Sequence, residues 1–168
     1  MKISKKHLLI IIISYLFSAL IGTLAHFIYN WSNQSIILKP FVPIDESIFE
    51  HLKLLFYPLL ITSLLEALIT KQNIIQILSI RGLSSIASIV LLVIFFYTYT
   101  SITKEPILLI DIISYYVLLL FAYLISIPLM HFKTRTTFIA FSIIAIIISI
   151  SLFSFFTEYK PSISFFQE

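Results

Sequence analysis

The apolar residues of this chain run in five long, continuous stretches that short polar segments separate. They do not alternate with polar residues every second position, as the strands of a membrane β-barrel do. Each is long enough to cross roughly 30 Å of hydrocarbon as a helix rising 1.5 Å per residue. The pattern predicts an all-α, polytopic membrane helix bundle, a single integral membrane domain over residues 1–168. We place its spans at about residues 8–29, 50–70, 83–100, 107–130 and 138–156.

Composition supports a membrane location. Of the 168 residues 60% are hydrophobic and 11% are charged, which is too little polar surface to cover a water-soluble globule. The chain has no cysteine, so disulfides, thiolate nucleophiles and cysteine-ligated metals are excluded. The basic residues lie at span ends, without a patch of interleaved aromatics. We therefore expect a multi-pass protein of the cell membrane whose partner is the lipid bilayer and not nucleic acid.

The distribution of lysine and arginine predicts the orientation. If the N-terminus is cytoplasmic, seven basic residues fall on the inner side and four on the outer side, and the positive-inside rule favours this N-in, C-out arrangement. The inner residues are Lys2, Lys5, Lys6, Lys71, Arg81, Lys133 and Arg135, and the outer ones are Lys39, Lys53, Lys104 and Lys160.

The first span also has the pattern of a secretory signal peptide, with three preceding lysines and a cleavage point after Ala25 as the alternative. Its apolar run is longer than the roughly 7–15 residues of a signal-peptide core, so we expect an uncleaved helix.

The start of the second helix carries several charges. Ser47 and Glu50 have the spacing of a capping box. If the helix runs from Glu46, then Glu46, Glu50 and Lys53 share one face, and the two carboxylates repel unless Lys53, a metal ion or a shared proton compensates. Pro58 predicts a kink after this polar part.

For the charged residues that follow Pro58, the sequence predicts positions at the membrane interface. Glu66 precedes Lys71 at the inner end of the second helix, where we expect its carboxylate to reach the interface. We expect the stretch from Lys71 to Arg81 to form a short amphipathic segment ahead of the third span.

Several ionisable residues converge on the predicted outer side: His26, Glu46, Glu50, His51 and Asp111. Ionisable groups at membrane depth are costly and usually have a role. One interpretation is a divalent metal site built from these five residues. A second is acid–base chemistry by His26, Glu50 and His51, because a histidine beside a carboxylate can move protons. A third is structural, a Glu50–Lys53 ion pair with a helix cap, and a fourth is binding without chemistry.

The stretch Pro40-Phe41-Val42-Pro43-Ile44-Asp45-Glu46-Ser47-Ile48-Phe49-Glu50-His51-Leu52-Lys53-Leu54-Leu55-Phe56-Tyr57-Pro58 resembles the signature of a family of small polytopic membrane proteins of unknown function from clostridia and related Firmicutes. Supporting matches lie at His26–Ser32, at Asp111 and at Phe155–Pro161. The resemblance implies a bacterial inner-membrane protein of several helices and brings no activity with it.

Two classes of function remain open on the sequence. One is an intramembrane enzyme that acts on a lipid or peptide substrate at the outer leaflet. The other is a non-catalytic transporter subunit, or a membrane assembly or resistance partner, which would bind a membrane protein or a second copy of itself.

Overall fold

The computed structural model describes residues 5–130 and 135–167, with side chains from Leu8 onwards. These ranges contain five α-helices, two short 3-10 helices and no strand, and all five α-helices are long and apolar enough to cross a membrane. The predicted fold class is confirmed. Lys2 and Lys133, counted in the orientation, lie outside the described residues, and the side of the N-terminus stays a prediction. The helices are α1 (Lys5–Trp31), α2 (Ile48–Thr70), α3 (Ile74–Thr103), α4 (Leu108–Met130) and α5 (Thr136–Glu158).

Side-chain caps fix where α2 and α3 begin. The Ser47 hydroxyl accepts a hydrogen bond from the Glu50 amide at 3.4 Å, and Asn73 accepts one from the Gln76 amide at 3.1 Å. In a complete capping box the Glu50 side chain would also accept a hydrogen bond from the Ser47 amide. Here the Ser47 amide donates to Asp45 Oδ1 at 3.0 Å instead. The helix therefore starts at Ile48, and Glu46 lies in the preceding loop. The expectation that Glu46, Glu50 and Lys53 share one helix face was wrong.

The third span is one continuous helix. We expected an amphipathic segment to Arg81 and a separate span from Leu83, but α3 runs unbroken from Ile74. Only residues 71–73 connect it to α2, so the two helices are antiparallel neighbours. Arg81, seven residues into α3, therefore lies roughly 10 Å along the axis from its first residue.

The core lies around α2 and α3, and the other three helices pack on this pair. One cluster of buried side chains joins α1, α2 and α4, including Leu55, Leu59, Leu119 and Tyr123. A second, rich in phenylalanine, joins α2 to α5 and to the chain after α5. We call the end where α1, α3 and α5 finish and α2 and α4 begin the upper end, and the opposite end the lower end.

Gly22 lets α1 approach both α2 and α4. A Cβ at this position would overlap the Tyr115 hydroxyl and lie 3.0 Å from the carbonyl oxygen of Leu54, a backbone atom of α2. At Gly82, the other glycine, a Cβ meets mainly the movable end of the Ile146 side chain.

We expect Gly22→Ala to destabilise the protein by about 1–3 kcal/mol, because overpacking forces neighbouring groups to move. Gly82→Ala is the matched control. At both positions alanine favours the helix by up to about 1 kcal/mol over glycine. At Gly82 the flexible end of the Ile146 side chain can move to make room for the added Cβ. The measurement is the thermal unfolding midpoint in detergent. A midpoint for Gly22→Ala at or above that of Gly82→Ala would contradict this account of the packing.

Candidate functional site

Three side chains meet at the upper end, and we call them the upper cluster: His26, Glu46 and His51. Each offers one metal-ligand atom, and the three atoms lie within 4.8 Å of one another. Glu46 lies between the rings, with one carboxylate oxygen 3.7 Å from His26 Nε2 and the other 3.4 Å from His51 Nε2. The ring centroids are 5.2 Å apart. These are three of the five residues that the sequence suggested for a metal site.

The backbone of α2 orients the His51 ring. His51 Nδ1 lies 2.9 Å from the carbonyl oxygen of Ser47. A carbonyl can only accept, so Nδ1 carries a proton, and in the neutral ring the lone pair is on Nε2, the atom that faces Glu46. Metal-binding histidines are commonly oriented in this way by a hydrogen bond from the other ring nitrogen.

The cluster is accessible from outside the protein. The His26 and His51 side chains are 29% and 30% exposed, and that of Glu46 is 70% exposed. His26 contacts Phe27 edge to face, and Phe27 stacks on Trp31 with centroids 5.7 Å apart. Exposed tryptophan at a helix end is typical of the headgroup level of a bilayer. The cluster therefore lies where the first candidate span ends, open to the outside of the protein.

Glu50 lies apart from the cluster in a buried ion pair. Its carboxylate is 2.6 Å from Lys53 Nζ, and both side chains are fully buried. The same carboxylate accepts hydrogen bonds from the Ile44 amide and the Thr157 hydroxyl at 3.1 and 2.9 Å. The structure thus has the Glu50–Lys53 pair that one interpretation of the sequence expected, and these bonds occupy both Glu50 oxygens.

Lys53 connects this pair to the loop that precedes α2. Its ammonium donates to the carbonyl oxygens of Lys39 at 2.7 Å and Val42 at 3.3 Å, and to Thr157 Oγ1 at 2.6 Å. One buried cation therefore holds together α2, the loop and α5. Lys53 lies two residues after His51 of the upper cluster in the sequence.

Asp111 makes a separate contact between α3 and α4. It accepts a hydrogen bond from the Tyr99 hydroxyl at 2.5 Å, and the Tyr99 oxygen accepts one from the Ile107 amide at 3.2 Å. The sequence correctly placed Asp111 near the first turn of α4, but the structure does not bring it into the group of three ligand atoms.

Sequence reasoning missed a second buried ion pair, which lies within the membrane-spanning part. Glu66 accepts two hydrogen bonds from Arg81 Nη2, at 3.1 and 2.8 Å, and the side chains are 2% and 0% exposed. The expectation that Glu66 reaches the interface was wrong. The available signal was two opposite charges on either side of the short turn, Glu66 four residues before the end of α2 and Arg81 seven residues after the start of α3.

Polar groups from α1 and α4 extend this second pair. The Arg81 guanidinium lies 4.1 Å from the centre of the Tyr123 ring and donates to the Ser126 hydroxyl. The Tyr123 hydroxyl is 2.8 Å from both the Ser18 and the Thr62 hydroxyl. This membrane network, Ser18, Thr62, Glu66, Arg81, Tyr123 and Ser126, joins four of the five helices.

A known protein family matches the whole chain. The family described as "Family of unknown function (DUF6512)" matches residues 1–168. The chain belongs to this family. No curated protein and no solved structure matches it. The function of this DUF6512 member is therefore inferred from the upper cluster and the membrane architecture.

Proposed function

We propose that this DUF6512 protein is a multi-pass membrane protein whose upper cluster binds one divalent transition metal, with zinc the first candidate, and acts on a lipid or peptide group at the bilayer surface. The convergence of His26, Glu46 and His51 from α1, the loop and α2 carries this proposal. Two imidazoles and a carboxylate form a ligand set that zinc uses in catalytic sites.

The distances within the cluster are compatible with one shared ion. Tetrahedral coordination with bonds of about 2.0–2.1 Å places ligand atoms about 3.3 Å apart. The two Glu46 oxygens lie 3.4 and 3.7 Å from the nearest ring nitrogens, and the three ligand atoms, one from each side chain, lie within 4.8 Å of one another. Small side-chain rotations would close the remaining gap, because the cluster is partly exposed and Glu46 lies in a loop.

Three protein ligands leave one coordination position open. Zinc bound in this way lowers the pKa of a water molecule to about 7 and polarises carbonyl or phosphoryl oxygens, which suits hydrolysis. In this chain the Ser47 carbonyl orients His51, and the Glu46 carboxylate would offset one of the two positive charges of the ion. Trp31 and Phe27 mark the headgroup level, where a lipid headgroup or a peptide bond near the surface is within reach.

Metal analysis of the detergent-purified protein tests the proposal. We expect about one zinc per chain after exposure to zinc and gel filtration, and loss of most of it in His26→Ala, Glu46→Gln and His51→Ala, because each removes one of three ligands. Glu105→Gln is the matched control, since Glu105 is an exposed carboxylate at the same end. Wild-type protein without bound zinc, manganese, cobalt or nickel would overturn the metal proposal and leave acid–base chemistry by the cluster.

The second candidate function is a non-catalytic one, as a transporter subunit or assembly partner. The membrane network favours it, because ionisable residues in transmembrane segments commonly mark transport paths or partner contacts. Within the described residues the fully buried Arg81 Nε has no hydrogen-bond partner, so it can donate only to a group that enters the bundle. Co-purification of a stoichiometric membrane protein with the wild-type chain would support this function.

A further inference from the structure

The chain after α5 folds back over the start of α2. The Phe166 side chain is buried and packs on Phe49 with ring centroids 4.7 Å apart, and it also contacts Phe156 at 5.0 Å. We call residues 157–167, which are the last two residues of α5 and the chain after it, the C-terminal clamp. It is anchored by these apolar contacts to the same end of the bundle as the upper cluster.

The clamp makes three polar contacts with the region that presents Glu46. Thr157 donates to Glu50, the Glu158 carboxylate lies 3.4 Å from Lys39 Nζ, and Lys160 forms an ion pair with Asp45 Oδ2. The Lys160 and Asp45 side chains are 21% and 19% exposed, so this ion pair is partly shielded from solvent.

Asp45 connects the clamp to Glu46. Its other oxygen, Oδ1, accepts the hydrogen bond from the Ser47 amide, so one carboxylate fixes the residues on both sides of Glu46. The side chain of Glu46 is 70% exposed, and its carboxylate lies between the two histidine rings. Its place between the two histidines therefore depends on how the short loop of residues 44–47 is held.

We propose that Lys160 is a positioning residue for the upper cluster: by its ion pair with Asp45 it holds Glu46 between His26 and His51. This inference rests on the proposed metal function and adds residues that are not ligands. Removing an outer partner of a metal ligand commonly weakens metal binding about 10–100-fold. Lys160 acts through the loop and not on the ion directly, so its loss should affect affinity more than stability.

Competition with a chromogenic chelator measures the effect on zinc affinity in the detergent-solubilised full chain. We expect Lys160→Met to weaken zinc binding about tenfold, Asp45→Asn to do the same, and Lys160→Arg to restore most of the affinity. Lys104→Met is the matched control, because Lys104 is an exposed lysine at the same end. Equal zinc affinity in Lys160→Met and wild type would overturn the positioning role while leaving the metal proposal intact.

A crosslinking measurement tests the positioning without any metal. The natural chain has no cysteine, so His26→Cys with Glu46→Cys creates one defined thiol pair. With the same concentration of a mild oxidant added to each sample to accept the two electrons, we expect the rate of disulfide formation between these positions to fall severalfold when Lys160→Met is added and to recover with Lys160→Arg. An unchanged rate would overturn the positioning role even if zinc does not bind. A lowered rate in a protein that binds no zinc would overturn the metal function alone.

Discussion

Glu66→Met will destabilise the protein by about 3–5 kcal/mol, because it leaves the Arg81 guanidinium buried without a counter-charge. Both side chains are at most 2% exposed, and Arg81 lies well inside α3. The remaining partners, Ser126 and the Tyr123 ring, are neutral. We expect this variant to yield little monodisperse protein by size-exclusion chromatography and to unfold far below the wild-type temperature.

A double variant separates a broken ion pair from a lost contact. Glu66→Met with Arg81→Met removes both charges, and apolar side chains of similar size are often as stable as a buried ion pair. We expect most of the stability to return, which gives a coupling energy of several kcal/mol in a double-mutant cycle. Glu105→Met, at an exposed position, controls for the substitution itself. A double variant as unstable as Glu66→Met would contradict the ion-pair account.

Lys53→Met is the second substitution with a large expected effect. It leaves the fully buried Glu50 without its cation, which again costs about 3–5 kcal/mol, and it removes the donor to the Lys39 and Val42 carbonyl oxygens. Because those carbonyls belong to the loop before α2, we expect the loop to become sensitive to proteases as well. Thermal unfolding and limited proteolysis in detergent measure the two effects.

Adding Glu50→Gln to Lys53→Met separates the effect of the uncompensated Glu50 charge from the effect of losing the Lys53 hydrogen bonds to the loop. Glutamine removes the uncompensated charge. Its single carbonyl oxygen can accept from the Ile44 amide while its NH2 group donates to the Thr157 hydroxyl, so the unfolding midpoint should recover in part. The loop carbonyls stay without their donor, so the protease sensitivity should remain. Full recovery of both properties would show that Lys53 does not anchor the loop.

The five helices could be predicted from the sequence because each depends on a local property. A continuous apolar run must pair its own backbone in lipid, and a serine and an asparagine cap mark the starts of α2 and α3. Glu66 and Arg81 could not be placed in this way, because their burial depends on the opposite charge across the α2–α3 turn. Local rules assign an isolated charge to the interface, and only the packing of two helices turns it inward.

The two buried cations also alter the orientation count. Lys53 and Arg81 are fully buried in ion pairs, so neither is a loop charge of the kind that the positive-inside rule counts. Seven basic residues against four then become six against three, and the predicted N-in orientation keeps the same sign.

The sequence named the three members of the upper cluster within a longer set that also held Glu50 and Asp111, and it did not predict their arrangement. His26, Glu46 and His51 converge as the polar pattern at one predicted membrane surface suggested. The sequence could not show whether Glu46 or Glu50 faces the two histidines, since both residues lie at the start of the same helix. The Ser47 cap decides this, because it leaves Glu46 in the loop facing the histidines while Glu50 enters α2 and turns to Lys53.

Zinc K-edge X-ray absorption on the zinc-loaded wild-type protein tests the central claim, that His26, Glu46 and His51 hold one metal ion. We expect four light ligands at about 2.0–2.1 Å, two of which show imidazole scattering, and only a weak zinc signal from His51→Ala, which loses most of the metal. A shell of oxygen ligands without imidazole scattering, or a spectrum unchanged by His51→Ala, would contradict the assignment of the upper cluster as a metal site.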